Sequence, residues 1–351
     1  MELKKLYLLG LSVILLCYCT GIAFSASDSI EWKGGTAGAI SHPYAQGGPK
    51  FLEIMNAKTG GKFTGRWFHS GQVGGEADVI SQLRNNTLQF CSVSPALAGT
   101  LNPKATTMFS PYLIKDWDTF YKKWLGSEGS QLVLDCLRKD YKILGIDWLM
   151  AGFDALQHKD PPIKKLEDNK GRKLRAAQIY SIKETLEALG ANATPIAWTE
   201  VYQSVQQNVV EGLTAPASFA LSIRFHEVVN NITLSNHLLS THIFWVREDS
   251  LKELPADLQK QVIESIHEAC KWEQQIVKKY EDDAVEELKT KHGIKFWTLS
   301  DAEMDRWIKA TNKVWLSHEN KIDEKSGDGR VFLRAVFKSV GRDYDKEILG
   351  K

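Results

Sequence analysis

The chain has 351 residues, with 44 lysines and arginines against 43 aspartates and glutamates. This balance excludes the basic excess that binding to a nucleic acid backbone requires. The length exceeds what a single hydrophobic core usually organises, so the sequence predicts two lobes and an α/β architecture of alternating apolar runs and amphipathic stretches.

The first 25 residues are typical of a secretory signal peptide. Two lysines precede an apolar run of about 14 residues, and the small residues Ala23, Ser25 and Ala26 follow. This run is shorter than the roughly 20 residues that cross a bilayer. We predict cleavage after Ser25, with Ala26 or Ser27 as alternatives, and export to the periplasm. The mature chain then has 42 basic and 42 acidic residues.

Three cysteines remain after residue 25: Cys91, Cys136 and Cys270. An odd, widely spaced set excludes a disulfide framework. It leaves room for one disulfide, and the sequence does not specify which pair would form it.

The first part of the mature chain alternates short apolar runs with amphipathic stretches. The predicted helices are 45–58 and 76–88. The predicted strands are Ile30–Lys33, Phe63–His69, Phe90–Val93 and Lys142–Ile146.

The middle of the chain predicts a strand, a helix, a short strand and a second helix, an order typical of a parallel sheet. The strand covers Lys173–Ala177. Ser181 and Glu184 have the spacing of a capping box, which predicts a helix that ends near Gly190. Thr199 is the predicted cap of the second helix, which stops before Gly212. Ligands of such sheets bind at the carboxyl ends of the strands.

A long amphipathic segment runs from Ala256 to Lys291. Its apolar residues keep a three-to-four spacing, interrupted by Glu273. As one helix it would be about 50 Å long, enough to contact both lobes. A pair of shorter surface helices is the alternative.

No catalytic or metal-binding motif stands out. The glycines in Gly71–Gly75 lack the spacing of a dinucleotide fingerprint, and they fit a tight turn that exposes amides at the start of the next helix. The histidines His226, His237 and His242 lack a ligand pattern for a metal. We therefore predict no cofactor and no enzymatic activity.

Arg175 is the side chain that the sequence most clearly suggests as a ligand for an anion. It lies near the carboxyl end of a predicted strand, on the same face as Lys173. A guanidinium can hold a carboxylate with two parallel hydrogen bonds. Spacing alone fits a surface salt bridge at least as well.

Several segments of the chain resemble the DctP-type substrate-binding proteins of tripartite ATP-independent periplasmic (TRAP) transporters. The most specific similarity lies in the middle of the chain, and further matches flank it in the family's order. The segments are GRKLRAA (171–177), LEALGANATPIAWTEVY (186–202), QQNVVEG (206–212), SGQVGGEAD (70–78), PY (111–112) and ELPADLQK (253–260).

The resemblance implies a two-lobed periplasmic binding protein with a long helix spanning both lobes. Lobe I would comprise residues 29–151 plus 241–280, and lobe II residues 152–240 plus 281–351. It also implies roles for single residues at the ligand. Arg175 would clamp a carboxylate, Trp198 would pack on the ligand, and Gln178, His242, Ser94, Thr36 and His42 would line the pocket.

Two positions depart from the sialic-acid-binding members of the family. Asp154 stands where those proteins have a second arginine, and Ala215 stands where they have asparagine. An ionised Asp154 would repel an anion, so it either pairs with a cation or faces an amino or hydroxyl group of the ligand. Sugar-acid and simple dicarboxylate specificity are both put in doubt.

The resulting hypothesis is a monomeric receptor that captures a small organic anion, a monocarboxylate or a sulfonate, and delivers it to the permease subunits of a TRAP transporter. A receptor of the same fold that feeds a sensor kinase or chemoreceptor is the main alternative. A periplasmic enzyme is the other.

Overall fold

The computed structural model describes residues 29–351, which form an α/β structure around one mixed sheet of ten strands. The strands are Ile30–Gly35 (β1), Phe63–Phe68 (β2), Phe90–Val93 (β3), Ile143–His158 (β4), Lys173–Ala176 (β5), Asn192–Pro195 (β6), Gly212–Pro216 (β7), Asn231–Leu234 (β8), Leu239–Arg247 (β9) and Lys295–Thr298 (β10). The predicted signal peptide lies outside the described residues.

Helices cover both faces of the sheet and the end of the chain. The α-helices are Pro43–Lys58 (α1), Glu76–Arg84 (α2), Pro95–Ala98 (α3), Trp117–Thr119 (α4), Glu128–Leu134 (α5), Arg138–Tyr141 (α6), Tyr180–Ala188 (α7), Val201–Gln206 (α8), Phe219–Ser222 (α9), Glu248–Lys252 (α10), Ala256–Lys291 (α11), Asp301–Ser326 (α12), Gly329–Ser339 (α13) and Tyr344–Glu347 (α14). Short 3-10 segments are Pro103–Phe109, Leu166–Asn169, Trp198–Glu200 and Phe225–Glu227, and Phe120–Trp124 is π-helical.

The long strand β4 joins two halves of the sheet. Residues 143–153 pair with β9, and residues 154–158 pair with β7 and β8. The half-sheet around β1, β2, β3 and β9 is called the first half, and the half-sheet around β5, β6, β7, β8 and β10 the second half. The pairings β1–β2 and β5–β7 are parallel, whereas β4 and β9 run antiparallel to their neighbours, so the predicted parallel sheet is mixed.

A bend in β4 separates the two halves. The register of β4 against β9 shifts between Met150 and Gly152, as at a β-bulge. Gly152 has φ +121°, a conformation that side-chain-bearing residues rarely adopt. A Cβ atom there would lie 2.7 Å from the carboxyl carbon of Glu281 on α11, so glycine is needed both for the backbone and for the close approach.

The segment 256–291 forms the single continuous helix α11, as the longer of the two sequence interpretations predicts. Its 36 residues correspond to about 54 Å at 1.5 Å per residue. It packs against α1, which follows β1, against the bent strand β4, and against α9, which follows β7. The helix therefore contacts elements of both half-sheets.

Glu273 interrupts the apolar stripe of α11 because its carboxyl group forms a hydrogen bond with the backbone at the bend in β4. Its side chain is fully buried, and its Oε2 accepts a hydrogen bond of 3.0 Å from the Met150 amide. The bulge frees this amide from the sheet ladder, and a buried free donor is costly. A carboxyl from the helix satisfies it.

Some predicted element boundaries are wrong. Ser181 does not cap a helix, because α7 starts at Tyr180 and Ser181 lies buried in its first turn. Thr199 does not cap one either, since it lies within the 3-10 segment that leads into α8. Helix α2 stops at Arg84, four residues early, where Asn86 adopts φ +58° and the chain turns toward β3.

Within residues 29–351, no helix combines the length and hydropathy that crossing a membrane requires. The assignment of residue ranges to two lobes remains a prediction.

Candidate functional site

A cleft of about 340 Å³ lies between the two half-sheets, next to the bend in β4. Its walls come from both sides: Ser94 and His242 belong to the first half, and Arg175 and Ala215 to the second. The volume is within the range of pockets for small molecules.

Arg175 dominates the wall of the second half. It is buried near the carboxyl end of β5, and its Nε donates a hydrogen bond of 3.0 Å to the Ile196 carbonyl. Within residues 29–351 its terminal nitrogens have no hydrogen-bond acceptor, and no carboxylate lies within ion-pair distance. The single bond to Ile196 therefore orients the guanidinium while leaving its fork free.

Burial lowers the pKa of Arg175 to about 10, against the opposing effects of Asp154 and Glu76. A pKa of this size keeps the guanidinium charged at neutral pH. A buried charge without a partner is strongly unfavourable. The Arg175 guanidinium is therefore a buried charge without a counter-ion among residues 29–351.

Trp198 and Gln178 flank Arg175 on the loops that follow β6 and β5. The guanidinium carbon of Arg175 lies 5.3 Å from the centroid of the Trp198 ring, which suits a cation–π contact. The indole is fixed from behind by Phe219, at 5.2 Å between centroids. Gln178 is solvent-exposed and lines the mouth of the cleft.

The wall of the first half is a hydrogen-bonded group of Glu76, Ser94 and His242. The Nε2 atom of His242 lies 3.0 Å from Oε1 of Glu76, and the same oxygen accepts a bond of 3.3 Å from the Ser94 amide. The imidazole of His242 stacks on the ring of Tyr44 at 3.8 Å. Since the carboxylate only accepts, His242 must carry a proton on Nε2.

Asp154 also lines the cleft, and its two oxygens are already bonded. Ser240 donates to Oδ1 at 2.6 Å and Thr214 donates to Oδ2 at 2.7 Å. Burial raises the pKa of Asp154 to about 6, with the two hydroxyls and Arg175 opposing the rise. The carboxyl is therefore ionised at neutral pH and is balanced mainly by hydroxyl groups.

The network continues behind Asp154. Thr214 has one proton, which it gives to Asp154, so its oxygen accepts from Nε2 of His237 at 2.9 Å. The Ser235 hydroxyl lies 2.7 Å from Nδ1 of that ring. Burial lowers the pKa of His237 to about 3, so this histidine is a neutral link in a buried chain.

Two residues of the predicted set do not line the cleft. Thr36 is fully buried behind it, where its Oγ1 accepts the Gly38 amide at 3.2 Å. His42 caps α1, and its Nε2 lies 3.2 Å from the Ser218 hydroxyl. Ala215 does line it, and its methyl group leaves room that a longer side chain would fill.

The glycine turn leads into α2 as the sequence suggests, and Gly75 and Glu76 line the cleft. The Gly75 amide is not free, however, because Oδ2 of Asp78 accepts it at 2.9 Å. This amide is therefore taken by the protein's own carboxylate.

A bilobed α/β fold with a long helix and an arginine in the cleft is consistent with the resemblance noted in the sequence. The profile of the family described as "Bacterial extracellular solute-binding protein, family 7" (DctP) matches residues 34–321. This chain belongs to the DctP family.

Two curated relatives of this DctP-family chain illustrate its range. The C4-dicarboxylate-binding protein DctB of Bacillus subtilis is 27% identical over 292 residues, which cover 83% of each chain. The ectoine-binding periplasmic protein TeaA of Halomonas elongata is 26% identical over 276 residues, covering 78% of this chain and 79% of TeaA.

Solved structures confirm the two-lobed fold. The sugar acid binding protein DctPAm from Advenella mimigardefordensis, in complex with galactonate, superimposes with a TM-score of 0.82. The match covers 89% of this chain and 99% of that one at 23% identity. The predicted family and fold class are thus confirmed, and the chain is a solute-binding receptor of the TRAP type.

The sequence interpretation of this DctP-family receptor missed several side chains in the cleft, among them Glu76, Tyr44 and Phe219. The sequence does contain a clue to the position of Glu76 in the cleft, since this residue follows the glycine turn inside a segment that resembles the family. An acid in the first turn of a helix is ordinarily a partner of the helix dipole, so it did not stand out. The two aromatic residues carry no signal that separates them from core residues.

The remaining chemistry of the described residues is sparse. Residues 29–351 contain no group of three or more side chains arranged to hold a metal ion. Cys91, Cys136 and Cys270 are unpaired, so the one disulfide that the sequence left open does not form here.

Proposed function

We propose that this receptor captures a small organic anion, a monocarboxylate or a sulfonate, in the cleft and delivers it unchanged to the permease subunits of a TRAP transporter. The acid group binds the guanidinium of Arg175. Trp198 covers the apolar body of the ligand.

One observation carries the proposal: Arg175 is buried in a small cleft, with its charged fork unpaired within residues 29–351. A carboxylate that meets this fork gains two charge-assisted hydrogen bonds and removes the cost of the isolated charge. A neutral solute would leave that cost in place.

The printed ligands of relatives support an acid without choosing one. The relatives bind C4-dicarboxylates, ectoine and galactonate, which differ in size and net charge but all carry a carboxylate. Family membership therefore favours an acid group on the ligand of this chain. The rest of the ligand must be inferred from the other cleft walls.

The position of the cleft supports capture by closure. The ligand would lie between the two half-sheets, which are joined through β4 and braced by α11. Closing the lobes around it would exclude water and strengthen the contact with Arg175.

The test is a thermal-shift screen of purified residues 26–351 against mono- and dicarboxylates, sulfonates and neutral polyols. An acid should raise the melting temperature of the wild type, because a ligand that binds only the folded state stabilises it. The rise should be much smaller for Arg175→Ala. Lys173→Ala, an exposed cation on the same strand, is the matched control and should respond like the wild type.

Stabilisation by neutral polyols in both wild type and Arg175→Ala would overturn the proposal. Mass spectrometry of the ligand after prolonged incubation tests the second part. Recovery of the intact acid is expected, and a chemically altered product would identify an enzyme.

A further inference from the structure

Acidic side chains outnumber basic ones in the walls of the cleft. The lining contains two basic side chains, Arg175 and His242, and four carboxylates: Glu76, Asp78, Asp154 and Glu200. A purely anionic solute would bind in a field set mostly by like charge, which is costly in a partly buried site. The charge balance thus points to a ligand that also carries a positive group.

Two of the four carboxylates are placed to receive such a group. Asp78 is engaged with the Gly75 amide, and Glu200 is exposed at the rim. Asp154 is only 2% exposed, and the side chain of Glu76 is 17% exposed. These two are the least exposed acids of the cleft.

Both acids have acceptor capacity left. Each carboxylate oxygen has two lone pairs, and each oxygen of Asp154 accepts a single bond, from Ser240 or Thr214. Glu76 uses only Oε1, and its Oε2 accepts no hydrogen bond within residues 29–351. Donors on a ligand can therefore be added without breaking a bond of the protein.

The opposite charges of the cleft are near each other but not paired. Arg175 and Asp154 are close enough for each to shift the pKa of the other, and Glu76 also acts on Arg175. Yet within residues 29–351 no carboxylate oxygen lies within 4.0 Å of the Arg175 guanidinium. All three side chains line the same cleft, so a ligand bound there can contact both signs at once.

The hydroxyl network keeps Asp154 in the form that a cation needs. Thr214 and Ser240 both donate to it, which favours the ionised carboxylate over the neutral acid. Its pKa of about 6 is compatible with a negative charge at neutral pH.

We propose that the ligand is zwitterionic: its carboxylate binds Arg175, and its cationic N–H group binds Asp154 and Glu76. The ligand class is a small amino carboxylic acid. This inference rests on the proposed function, because it uses the same cleft and the same arginine, and it adds the second charged group.

Calorimetric titration at pH 7.5 with matched probes tests it. Each set shares one skeleton and differs in one atom or group, as in proline against tetrahydrofuran-2-carboxylate, pipecolate against tetrahydropyran-2-carboxylate, and linear 2-amino acids of four to eight carbons against their 2-hydroxy and unsubstituted analogues. The amino member of at least one set should bind at least about tenfold more tightly than its partners.

The carboxylate-to-amide variants Asp154→Asn and Glu76→Gln should each weaken the amino member about tenfold and change the hydroxy member by less than about threefold. Asp283→Asn, a surface acid on α11, is the matched control and should leave the amino member's affinity unchanged. Thermal unfolding checks that each variant is folded, and Glu76→Gln alone decides the question if Asp154→Asn is not.

The outcomes separate this inference from the function on which it rests. Hydroxy or unsubstituted acids that bind as tightly as the amino member, with binding lost in Arg175→Ala, would overturn the zwitterion and leave the acid receptor intact. The zwitterion is also overturned if no amino member binds. If affinity for every acid is indifferent to Arg175→Ala, both conclusions fail.

Discussion

The cleft and the bend in β4 both bury ionisable side chains, but the two regions favour different ionisation states. In the cleft, Arg175 makes a single hydrogen bond within residues 29–351, and two hydroxyls donate to Asp154. At the bend, Glu273 and Glu281 project from α11 onto β4, and burial raises the pKa of both. Burial there favours the neutral form of both acids.

This difference in ionisation indicates which of the two regions would bind a charged ligand. An ionised group that is buried without a counter-ion is costly, and the cost is removed when a ligand arrives. A carboxyl that stays protonated avoids the cost and can serve as an ordinary hydrogen-bonding group. We therefore expect a charged ligand in the cleft, whereas the buried acids at the bend need no external partner.

The largest effect that would test this contrast concerns Glu281. Burial raises its pKa to about 8, so the unfolded chain releases this proton near pH 4.5 and the folded chain only near pH 8. Its contribution to stability is present below pH 4.5 and is lost as the pH rises to 8, by an amount on the order of 5 kcal/mol. Urea unfolding of Glu281→Gln should lack this decline.

The control for that series is Glu264→Gln, an exposed acid on the same helix, which should retain the decline of the wild type. The titratable neighbours of Glu281 are His42, with Nε2 at 3.9 Å, Asp154 and Asp282. Equal slopes in wild type and Glu281→Gln would show that Glu281 is ionised in the folded protein, and the contrast would break.

Gly152→Ala should give the next largest effect, a loss of about 2–4 kcal/mol in the free energy of unfolding. The substitution places a methyl group against the Glu281 carboxyl in a backbone conformation that alanine rarely adopts. Gly171→Ala is the matched control, because it also has positive φ but nothing within 4 Å of a Cβ, and it should cost about 1 kcal/mol. Equal losses of unfolding free energy in the two variants would show that the close approach of Gly152 to Glu281 adds nothing to the cost.

On the cleft side, we expect Arg175→Ala to weaken ligand binding roughly tenfold to a hundredfold, as the loss of charged hydrogen bonds implies. Arg175→Lys should recover only part of this, since an ammonium cannot supply the planar fork or the contact with Trp198. Isothermal titration with the best acid from the screen measures both. Full recovery by lysine would reduce the role of Arg175 to that of a point charge.

The smallest effect should come from Trp198. Its ring packs between Arg175 and Phe219, and replacing it with alanine should weaken binding about three- to tenfold. Trp198→Phe keeps an aromatic face and should stay within about threefold of the wild type. A loss in Trp198→Phe as large as in Trp198→Ala would instead implicate the size or the N–H group of the indole.

Much of this architecture could be predicted from the sequence. The three-to-four spacing over residues 256–291 located the 36-residue helix α11, and strand alternation around Arg175 placed it at the carboxyl end of β5. Both rest on local periodicity, which a sequence displays directly. The resemblance to the family also predicted cleft residues such as Trp198 and Gln178, and both line the cleft.

What the sequence could not supply are contacts between distant segments. Glu76 meets His242 across 166 positions, and Ser240 meets Asp154 across 86. The length of β4 was also hidden, because the strand continues through Gly152, a residue that normally ends one. In each case a contact with a distant segment determines the structure, and the local sequence pattern does not reveal that contact.

A crystal structure of the protein with its acid bound tests the central claim most directly. The account predicts two oxygens of the ligand's acid group at about 2.7–2.9 Å from the terminal nitrogens of Arg175, in one plane with the guanidinium. An acid group bound elsewhere in the cleft, with the fork of Arg175 facing water, would contradict it.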